Sequence, residues 1–478
     1  MTATTASTST AQRRIARLAT LTAVHRAFHW LHLHQPQLRQ WQLDLVRIPA
    51  PPFGEAARAA WVLDRFHQLG LTNPHIDEEG NVLAELAPEL SNKNSSHLQR
   101  SEEPTQNGDT RHPQRSEANQ HPERSEATPH SASAVARSTS VSSAESVVGS
   151  HSQTPVILIS AHLDTVFPAG TNCEPLEPKD THRIYAPGIC DNVAGLSGLL
   201  AIAAALRYAN LTPPIPILFA ANVGEEGEGD LRGMRHLFER SPYANRIAAA
   251  IALEGSGTAA VVTRALGSLR FRVTVTGPGG HSWSDAGTPN PILLLSRALT
   301  EIAVLDLPTN PLTTINVGHI SGGTSINSIP ESATALLDLR STDPTQLTGV
   351  AAQIHHIFDH LVTSSTTPNT TNRPLKIHIE TIGNRPAATL PHDAPILHTL
   401  RAVDRHLVIR TEPRLGSTDA NIPLSKEIQA IAIGTGGTGG GIHTLQEWYD
   451  PTGRETALRR ILLTLLDVTQ TTAEASSA

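Results

Sequence analysis

The chain has 478 residues, of which 39% are hydrophobic and 17% are charged, and its formal net charge is -7. A chain of this length exceeds the size at which one hydrophobic core keeps growing, so the sequence predicts a globular protein of two domains. The negative balance provides no basic surface for nucleic acid or for an anionic membrane, so neither is expected as a partner.

Cysteine content and the N-terminal sequence both bear on location. Cys173 and Cys190 are too few for a disulfide framework and are interpreted as reduced thiols. The stretch 18–34 is interrupted by His25 and Arg26, so it lacks both the apolar run of a signal peptide and the roughly 20 apolar residues of a membrane span. These features predict a cytoplasmic protein.

The N-terminal part of the chain reads as mainly helical. Residues 1–12 are rich in Thr, Ser and Ala and are predicted to be disordered, whereas a helical pattern follows over 12–46. A second helix is expected to end at Gly70, and residues 81–86 have the pattern of a strand.

From about residue 90 to residue 153 the composition changes to Ser, Glu, Gln, Asn, His and Arg, which cannot form a core. The segments 112–118 (HPQRSEA) and 121–127 (HPERSEA) are near copies of each other. We interpret the segment as a duplicated low-complexity insertion that forms a solvated loop. Weak metal binding by its histidines is the less favoured alternative.

Strand and helix patterns alternate after the insertion. The expected strands are 155–160, 215–221 and 247–253, and the expected helices between them are 194–208 and 233–239. This alternation predicts an α/β catalytic domain of three layers with a mostly parallel sheet, formed by residues 1–266 and completed by residues 386–470. Residues 471–478 are predicted to be a disordered tail.

Between these two parts, the pattern predicts a second domain over 267–385. Strand and helix patterns follow the order βαββαβ, which is typical of a small ferredoxin-like α+β domain inserted into the first. The expected elements are 269–276, 291–302, 313–320, 333–340, 344–361 and 375–381.

Polar side chains with catalytic potential follow several predicted strands at the edge where open α/β sheets place their sites. His162 and Asp164 come directly after the first buried strand, and alternation puts both on one side, where the carboxylate can orient a metal-bound imidazole. A surface histidine on a loop is the alternative, but the position after a buried strand favours metal binding.

Four further segments complete the set of candidate ligands. Asp191 lies at the start of a predicted helix, Glu225 and Glu226 follow a strand, Glu254 follows the next strand, and His443 follows a glycine run. Taken alone, Asp191 could be a helix N-cap and the glutamates could be solvated turns. Their joint occurrence at successive strand ends favours a site instead.

The donor set contains imidazoles and carboxylates. Nitrogen and oxygen ligands without cysteine suit zinc, and also cobalt or manganese. Two ions that share a carboxylate are a recurrent hydrolytic design, because together they activate a water and polarise a carbonyl. The free carboxylate of an adjacent Glu–Glu pair could then carry a proton.

Five segments, AHLDTV, GICDNVAG, GEEGEGDLRG, GPGGHS and HTLQEW, together resemble the motifs of the M20 family of dizinc peptidases. That family includes carboxypeptidases, aminoacylases, dipeptidases and tripeptidases. The resemblance extends from about Trp41 to Leu466 apart from the insertion, and the motifs occur in the family's order.

The resemblance implies a role for each candidate of the catalytic domain. It makes His162 and Glu254 ligands of one zinc, Glu226 and His443 ligands of the other, and Asp191 the bridge between them. By the same resemblance Glu225 is the general base, and Asp164 orients the imidazole of His162.

Three residues outside the ligand set also match family features. His281 corresponds to a histidine that reaches the substrate's oxyanion, often in the partner subunit's active site, so the resemblance implies a homodimer. Asn327, in the segment GGTSIN, is expected near the substrate. Arg414, in RLGSTDAN, is expected near a substrate carboxylate.

The expected substrate is a short peptide or an N-acyl amino acid. Within the family, a glutamate at the position of Glu254 favours a substrate with a free carboxylate, whereas the HTLQEW ending resembles that of tripeptidases. The sequence therefore predicts a zinc-dependent exopeptidase. An N-acyl amino acid amidohydrolase and an inactive binding relative are the alternatives, and the filled ligand positions count against the inactive one.

Overall fold

A computed structural model of the chain describes residues 2–88, 154–365 and 374–477. The low-complexity insertion predicted over 90–153 lies outside the described residues. The chain on both sides of it, Met1–Glu89 with Thr154–Ala478, forms one compact unit.

Helices make up most of the N-terminal region. Its elements are α1 (Thr2–Ala19), α2 (Thr22–Leu33), α3 (Gln35–Val46), α4 (Ala56–Gln68), β1 (Thr72–Ile76) and β2 (Val82–Leu86). The prediction that residues 1–12 are disordered is wrong, because α1 begins at Thr2. This helix buries Ala11 and Ile15, and Arg14 pairs with Asp467 at 2.9 Å in the last helix of the chain.

The first part of the predicted catalytic domain continues with alternating elements: β3 (Val156–His162), β4 (Ile184–Tyr185), α5 (Val193–Tyr208), β5 (Ile217–Asn222), a 3₁₀ turn (Gly227–Gly229), α6 (Arg232–Glu239), β6 (Ile247–Leu253) and β7 (Ala260–Ala265). Every residue of β3 is buried, as its continuous apolar run predicts. Helix α5 is buried over most of its circumference, which explains why its sequence is apolar on all sides.

Residues 267–385 form their own sheet and helices: β8 (Gly267–Thr276), β9 (Gly280–His281), α7 (Pro291–Ala303), β10 (Thr313–Gly322), β11 (Ser328–Ile329), β12 (Ser332–Ser341), α8 (Pro344–Ser365) and β13 (Lys376–Arg385). Apart from the short strands β9 and β11, this is the predicted βαββαβ order. Helix α7 begins where its sequence predicts, because the side chain of Asn290 accepts hydrogen bonds from the amides of Ile292 and Leu293.

After the inserted residues, the chain rejoins the first domain. The elements there are β14 (Ala388–Thr389), α9 (Pro395–His406), β15 (Glu412–Gly416), α10 (Asn421–Ser425), β16 (Gln429–Ile433), β17 (Thr438–Gly440), β18 (Trp448–Asp450) and α11 (Arg454–Ser477). The prediction of a disordered tail over 471–478 is wrong for residues 471–477, since α11 continues to Ser477. None of the described helices is long and apolar enough to cross a membrane.

The central sheet has the order β1-β2-β5-β3-β6-β16-β7-β14, and β15 also pairs with β7. Its centre, β5-β3-β6-β16, is parallel throughout, and antiparallel pairs lie toward both edges. The predicted α/β fold is therefore confirmed, with the refinement that the parallel part is the middle of the sheet. Because these strands run the same way, the segments after β3, β5 and β6 meet at one edge.

The inserted residues 267–385, which we call the lid, have an antiparallel sheet of order β10-β12-β8-β13 and a separate hydrophobic core. Helices α7 and α8 both pack on this sheet through residues such as Leu295, Ile354 and Phe358. The order is the ferredoxin-like one. Strand β10 lies at an edge of the lid sheet.

Candidate active site

His162 ends strand β3 and is completely buried. Its Nδ1 lies 3.0 Å from the backbone carbonyl oxygen of Asp164, and a carbonyl can only accept, so Nδ1 carries the proton of this hydrogen bond. The opposite nitrogen, Nε2, faces the carboxylates of Asp191 at 3.1 Å and Glu254 at 3.4 Å. The imidazole is thus oriented with Nε2 as the atom available for a metal.

Asp164 is buried beside His162 and connects it to the next segment. One carboxylate oxygen lies 3.6 Å from Nδ1 of His162. The same carboxylate accepts hydrogen bonds from the backbone amides of Glu225 at 3.0 Å and Glu226 at 2.7 Å. Asp164 therefore fixes the position of the adjacent glutamates as well as lying against the histidine that it was predicted to orient.

The two adjacent glutamates follow β5 on a turn that depends on a glycine. Gly224 has a φ of +66°, and a Cβ there would lie 2.6 Å from the side chain of Arg232. Glycine alone tolerates both conditions. The turn buries Glu225 and Glu226, which are 5% and 6% exposed.

Asp191 precedes α5 but does not cap it. The cap is Asn192, whose side-chain oxygen accepts a hydrogen bond from the amide of Gly195 at 3.1 Å. Asn192 also accepts from the amide of Gly255 at 3.0 Å and donates to the carbonyl of Leu253 at 2.9 Å. The interpretation of Asp191 as a simple N-cap is therefore excluded, and its carboxylate is directed to the histidines.

His443 comes from the distant C-terminal part of the catalytic domain. Its φ of +64° is uncommon for a residue with a side chain. Its Nε2 lies 3.1 Å from Asp191 Oδ2 and 3.1 Å from Glu226 Oε1. An uncommon backbone conformation that brings a side chain to a polar cluster is typical of a functional position.

These residues form two groups that share Asp191, and we call them together the ligand cluster. One group is His162, Asp191 and Glu254, and the other is Asp191, Glu226 and His443, with the potential ligand atoms of each group within 4.8 Å of one another. Asp191 presents Oδ1 to the first histidine and Oδ2 to the second. A carboxylate in this arrangement could bridge two cations.

The chemistry of the cluster fits metal ions. Oε2 of Glu254 is buried and has no hydrogen-bond partner among the described residues. Several carboxylates lie together at this edge of the sheet, and such crowding is unfavourable without a cation. A nitrogen and oxygen donor set of this kind suits zinc, cobalt or manganese.

Burial and neighbouring charges shift the pKa values of the cluster. Burial raises the pKa of Glu254 to about 7, partly offset by His162. Burial also raises the pKa of Glu225 well above its usual range, against the attraction of Arg385. Hydrogen bonds to Asp191 and Glu226 raise the pKa of His443 to about 10. In the metal-free protein at pH 7, protons therefore occupy positions that a cation can take.

Arg385, at the end of β13, was not identified from the sequence. It is 5% exposed, and its Nη1 donates to Oε1 of Glu225 at 3.0 Å and to Oγ of Ser417 at 3.2 Å, while Nη2 donates to the backbone oxygen of Glu225. No local sequence motif identifies this arginine, because only the tertiary structure brings the end of β13 to the site. It places a buried cation against the predicted base.

His281 and Asn327 lie together on the lid, and we call them the lid platform. Strand β9 pairs with β11, with His281 opposite Ser328, and the backbone oxygen of Asn327 accepts from the amide of Ser282 at 3.0 Å. Both residues are exposed. Within the described residues, no hydrogen bond or ion pair joins this platform to the ligand cluster.

The ring of His281 has a defined hydrogen-bonding pattern. Its Nδ1 accepts from the backbone amides of Trp283 at 3.2 Å and Ser284 at 3.3 Å. An accepting Nδ1 carries no proton, so in the neutral ring the proton is on Nε2. His281 therefore presents an outward N–H donor.

Arg414 lies on β15, away from the contacts that define the ligand cluster. Its side chain is 60% exposed and pairs with Glu412 at 2.6 Å. The structure gives it no contact with a predicted ligand among the described residues. Its predicted contact with a substrate carboxylate stays a prediction.

Glu447 is a second residue whose place the sequence did not reveal. It is completely buried, and its carboxylate accepts from the backbone amides of Gly188, Cys190 and Asp191 at 2.8 to 2.9 Å. The sequence signal was an acidic residue four positions after His443. That spacing alone does not reveal which backbone the carboxylate contacts.

Comparison with known proteins agrees with this fold. A probable carboxypeptidase of Talaromyces marneffei is 29% identical over 209 residues, which are 39% of this chain and 46% of that protein. The chain thus spans about half the length of the curated relatives it matches. A Staphylococcus aureus tripeptidase structure matches with a TM-score of 0.62 at 18% identity, over 91% of this chain and 98% of that one.

A second similar structure is a dinuclear metal-binding peptidase from Bacillus subtilis, with a TM-score of 0.57 at 12% identity over 91% of this chain and 98% of that chain. The model of peptidase family M20/M25/M40 matches residues 158–467. The chain belongs to this family, as the five motifs predict.

Proposed function

We propose that the protein is a two-zinc exopeptidase that hydrolyses short peptides. The observation that carries the proposal is the shared carboxylate of Asp191, with one oxygen toward His162 and the other toward His443. A single cation would need only one of these groups. Two groups that share one carboxylate support two cations.

In this proposal His162 and Glu254 hold one ion, Glu226 and His443 hold the other, and Asp191 bridges them. When bound, such ions would supply Lewis acidity to the scissile carbonyl and to the attacking water. Cobalt or manganese could occupy the same donor set. Asp164 keeps the proton of His162 on Nδ1 through its backbone carbonyl and keeps the glutamate pair in place through its carboxylate.

Glu225 is the proposed general base. It is buried, adjacent to the ligand Glu226 and held by Arg385, so its carboxylate has a fixed position and a raised pKa. It takes a proton from the attacking water and later delivers that proton to the leaving amine.

His281 is proposed to donate its Nε2 proton to the oxyanion that develops on the scissile carbonyl. Its exposure on the lid, without contact to the cluster of its own chain, supports a homodimer in which the partner subunit completes each site. Asn327 lies beside it and is proposed to bind the substrate.

The proposed substrates are short peptides, with N-acyl amino acids as the alternative. Exposed Arg414 is the arginine proposed to attract a free carboxylate on the substrate. A panel of dipeptides, tripeptides and N-acyl amino acids, each with its carboxyl group free or amidated, separates these classes. Faster turnover of tripeptides supports the exopeptidase, and faster turnover of N-acyl amino acids supports the alternative.

The test of the mechanism is Glu225→Gln. We expect this variant to bind two metal ions per chain and to lose about 10²–10⁴-fold in kcat, because it retains the fold and the ligands but cannot accept the proton. Metal content by elemental analysis and turnover of the peptide panel are measured together. Glu239→Gln, which alters an exposed carboxylate paired with Lys426, is the matched control.

Three results would contradict the proposal. Undiminished turnover in Glu225→Gln removes that residue from the role of base. Activity that survives complete removal of metal by a chelator removes the metal mechanism. Absence of both bound metal and turnover in the unaltered protein favours a binding protein that keeps only the fold.

A further inference from the structure

Glu447 is a buried carboxylate to which the proposed mechanism gives no role. It follows His443 by four residues and is completely buried. Its Oε1 accepts from the amides of Cys190 and Asp191, both at 2.8 Å, and its Oε2 accepts from the amide of Gly188 at 2.9 Å. No basic side chain pairs with it among the described residues, so backbone amides alone satisfy its charge.

The three amides belong to the loop that carries the bridging carboxylate. Gly188 has a φ of +78°, and a Cβ there would lie 2.6 Å from the side chain of Thr165, so this loop passes close to the segment after β3. The carboxylate of Glu447 holds the loop at both ends, at Gly188 and at Asp191. The backbone that orients Asp191 is therefore fixed from a distant part of the chain.

The same short segment also supplies a ligand. His443 and Glu447 are the two ends of 443–447, and the backbone oxygen of Glu447 accepts from the amide of Ala186 at 3.0 Å. Strand β18, which begins at the next residue, pairs with β4. One segment thus delivers an imidazole to Asp191 and holds the backbone of Asp191 in place.

We propose that Glu447 is a positioning residue that fixes Asp191 between the two metal sites and thereby sets the affinity for both ions. The inference rests on the proposed two-metal function. A carboxylate that only stabilised the fold could satisfy any buried amides. This one contacts the amide of the residue shared by both sites, and it is linked to the histidine of one of them.

The test compares metal affinity in Glu447→Ala and Glu447→Gln with the unaltered chain. Zinc is titrated into metal-free protein against a chromophoric chelator, which gives a dissociation constant for each site. We expect Glu447→Ala to bind zinc about 10–100-fold more weakly at both sites, as is typical when a partner of a ligand is lost. Glu447→Gln keeps one oxygen that can accept from the amides of Cys190 and Asp191, but its side-chain NH2 group faces the amide of Gly188. Its loss of zinc affinity should therefore be smaller than that of Glu447→Ala.

Asp404→Asn is the matched control. Asp404 is also a buried carboxylate of the predicted catalytic domain. It pairs with Arg460 at 2.6 Å, and this pair includes none of the residues of the ligand cluster. This variant should melt at a lower temperature and bind zinc with unaltered affinity. Cobalt substitution adds a second measurement, because its visible absorption reports ligand geometry and should change in the Glu447 variants alone.

The outcomes separate the two proposals. The positioning role is overturned if Glu447→Ala has a lowered melting temperature but the same zinc affinities and cobalt spectrum as the unaltered chain. That result would leave the two-metal function intact. Failure of the unaltered chain to bind two ions would overturn the function itself. If Glu447→Ala does not fold, Glu447→Gln decides, since an unaltered affinity at both sites in that variant also overturns the inference.

Discussion

The ligand cluster and the lid platform contain the same kinds of side chain in opposite surroundings. His162 is completely buried and is held between the carbonyl of Asp164 and the carboxylates of Asp191 and Glu254. His281 is exposed, and its ring contacts only backbone amides of its own turn among the described residues. One histidine is fixed by the tertiary structure around it, and the other by three residues of local sequence.

The difference indicates two kinds of functional site in one chain. The cluster is pre-organised, because parallel strands bring its members to one edge and burial prevents them from moving apart. The platform is complete as a donor, and none of the described residues accepts a hydrogen bond from Nε2 of His281. Under the proposed function, the platform must therefore meet the cluster of a partner subunit, or its own cluster after movement of the lid.

Removing the centre of the cluster should have the largest effect. Asp191→Ala deletes the carboxylate shared by both groups, so we expect fewer than two bound ions and a loss of at least about 10³-fold in kcat, which corresponds to several kcal/mol of lost stabilisation. Metal content and turnover are measured on the same preparation. Two tightly bound ions in this variant would exclude Asp191 as the bridge.

His281→Ala should separate the platform from the cluster. Loss of an oxyanion donor is expected to lower kcat about 10²–10³-fold while both metal ions stay bound. Co-expression of His281→Ala with Asp191→Ala chains tests the partner contribution. A mixed dimer contains one site with an intact cluster and the partner's intact histidine.

Recovered turnover in that mixture is the result expected of a shared site. If purified mixed dimers are as inactive as the single variants, His281 acts within its own chain and the comparison points to lid movement instead. Unchanged kcat in His281→Ala would remove the platform from catalysis altogether.

The cluster should take up metal with release of protons. Hydrogen bonds to Asp191 and Glu226 raise the pKa of His443 to about 10 without metal, and a ligating imidazole must be neutral. Apparent zinc affinity should therefore rise with pH until the pH reaches about 10. Calorimetric titrations in buffers of different ionisation enthalpy measure the protons released.

The raised pKa of His443 has the opposite effect on the stability of the metal-free fold, which falls as the pH rises. A histidine with a raised pKa contributes stability that is fully present below its unfolded pKa and is lost as the pH rises through its folded value. The melting temperatures of metal-loaded and metal-free protein should therefore diverge between neutral pH and pH 10. Zinc uptake without proton release would show that His443 is already neutral.

Arg414→Ala should have the smallest effect. Its side chain is 60% exposed and paired with Glu412, and exposed pairs contribute about 1 kcal/mol or less, so KM for a substrate with a free carboxylate should rise no more than about fivefold. The amidated substrate of the same sequence is the control. A much larger rise for the free carboxylate alone would support the prediction that Arg414 contacts it.

Much of the fold could be predicted because its signals are local. The apolar run of β3, the alternating elements after it and the βαββαβ order of the lid follow from periodicity, and the structure confirms each of them. The prediction that the N-terminus is disordered was wrong, because helix α1 begins at Thr2. Its Thr, Ser and Ala residues have little core-forming tendency, but Ala11 and Ile15 are buried in the tertiary structure.

The sequence by itself determined which residues could be ligands, because Asp191, Glu226 and Glu254 stand beside elements whose apolar patterns are strong. The tertiary structure decided how they are held. Arg385 reaches Glu225 from the end of the lid, and Glu447 reaches the amide of Asp191 across 256 positions of sequence. Neither contact leaves a periodic trace, because a hydrogen bond between distant segments depends on how strands and turns meet in space.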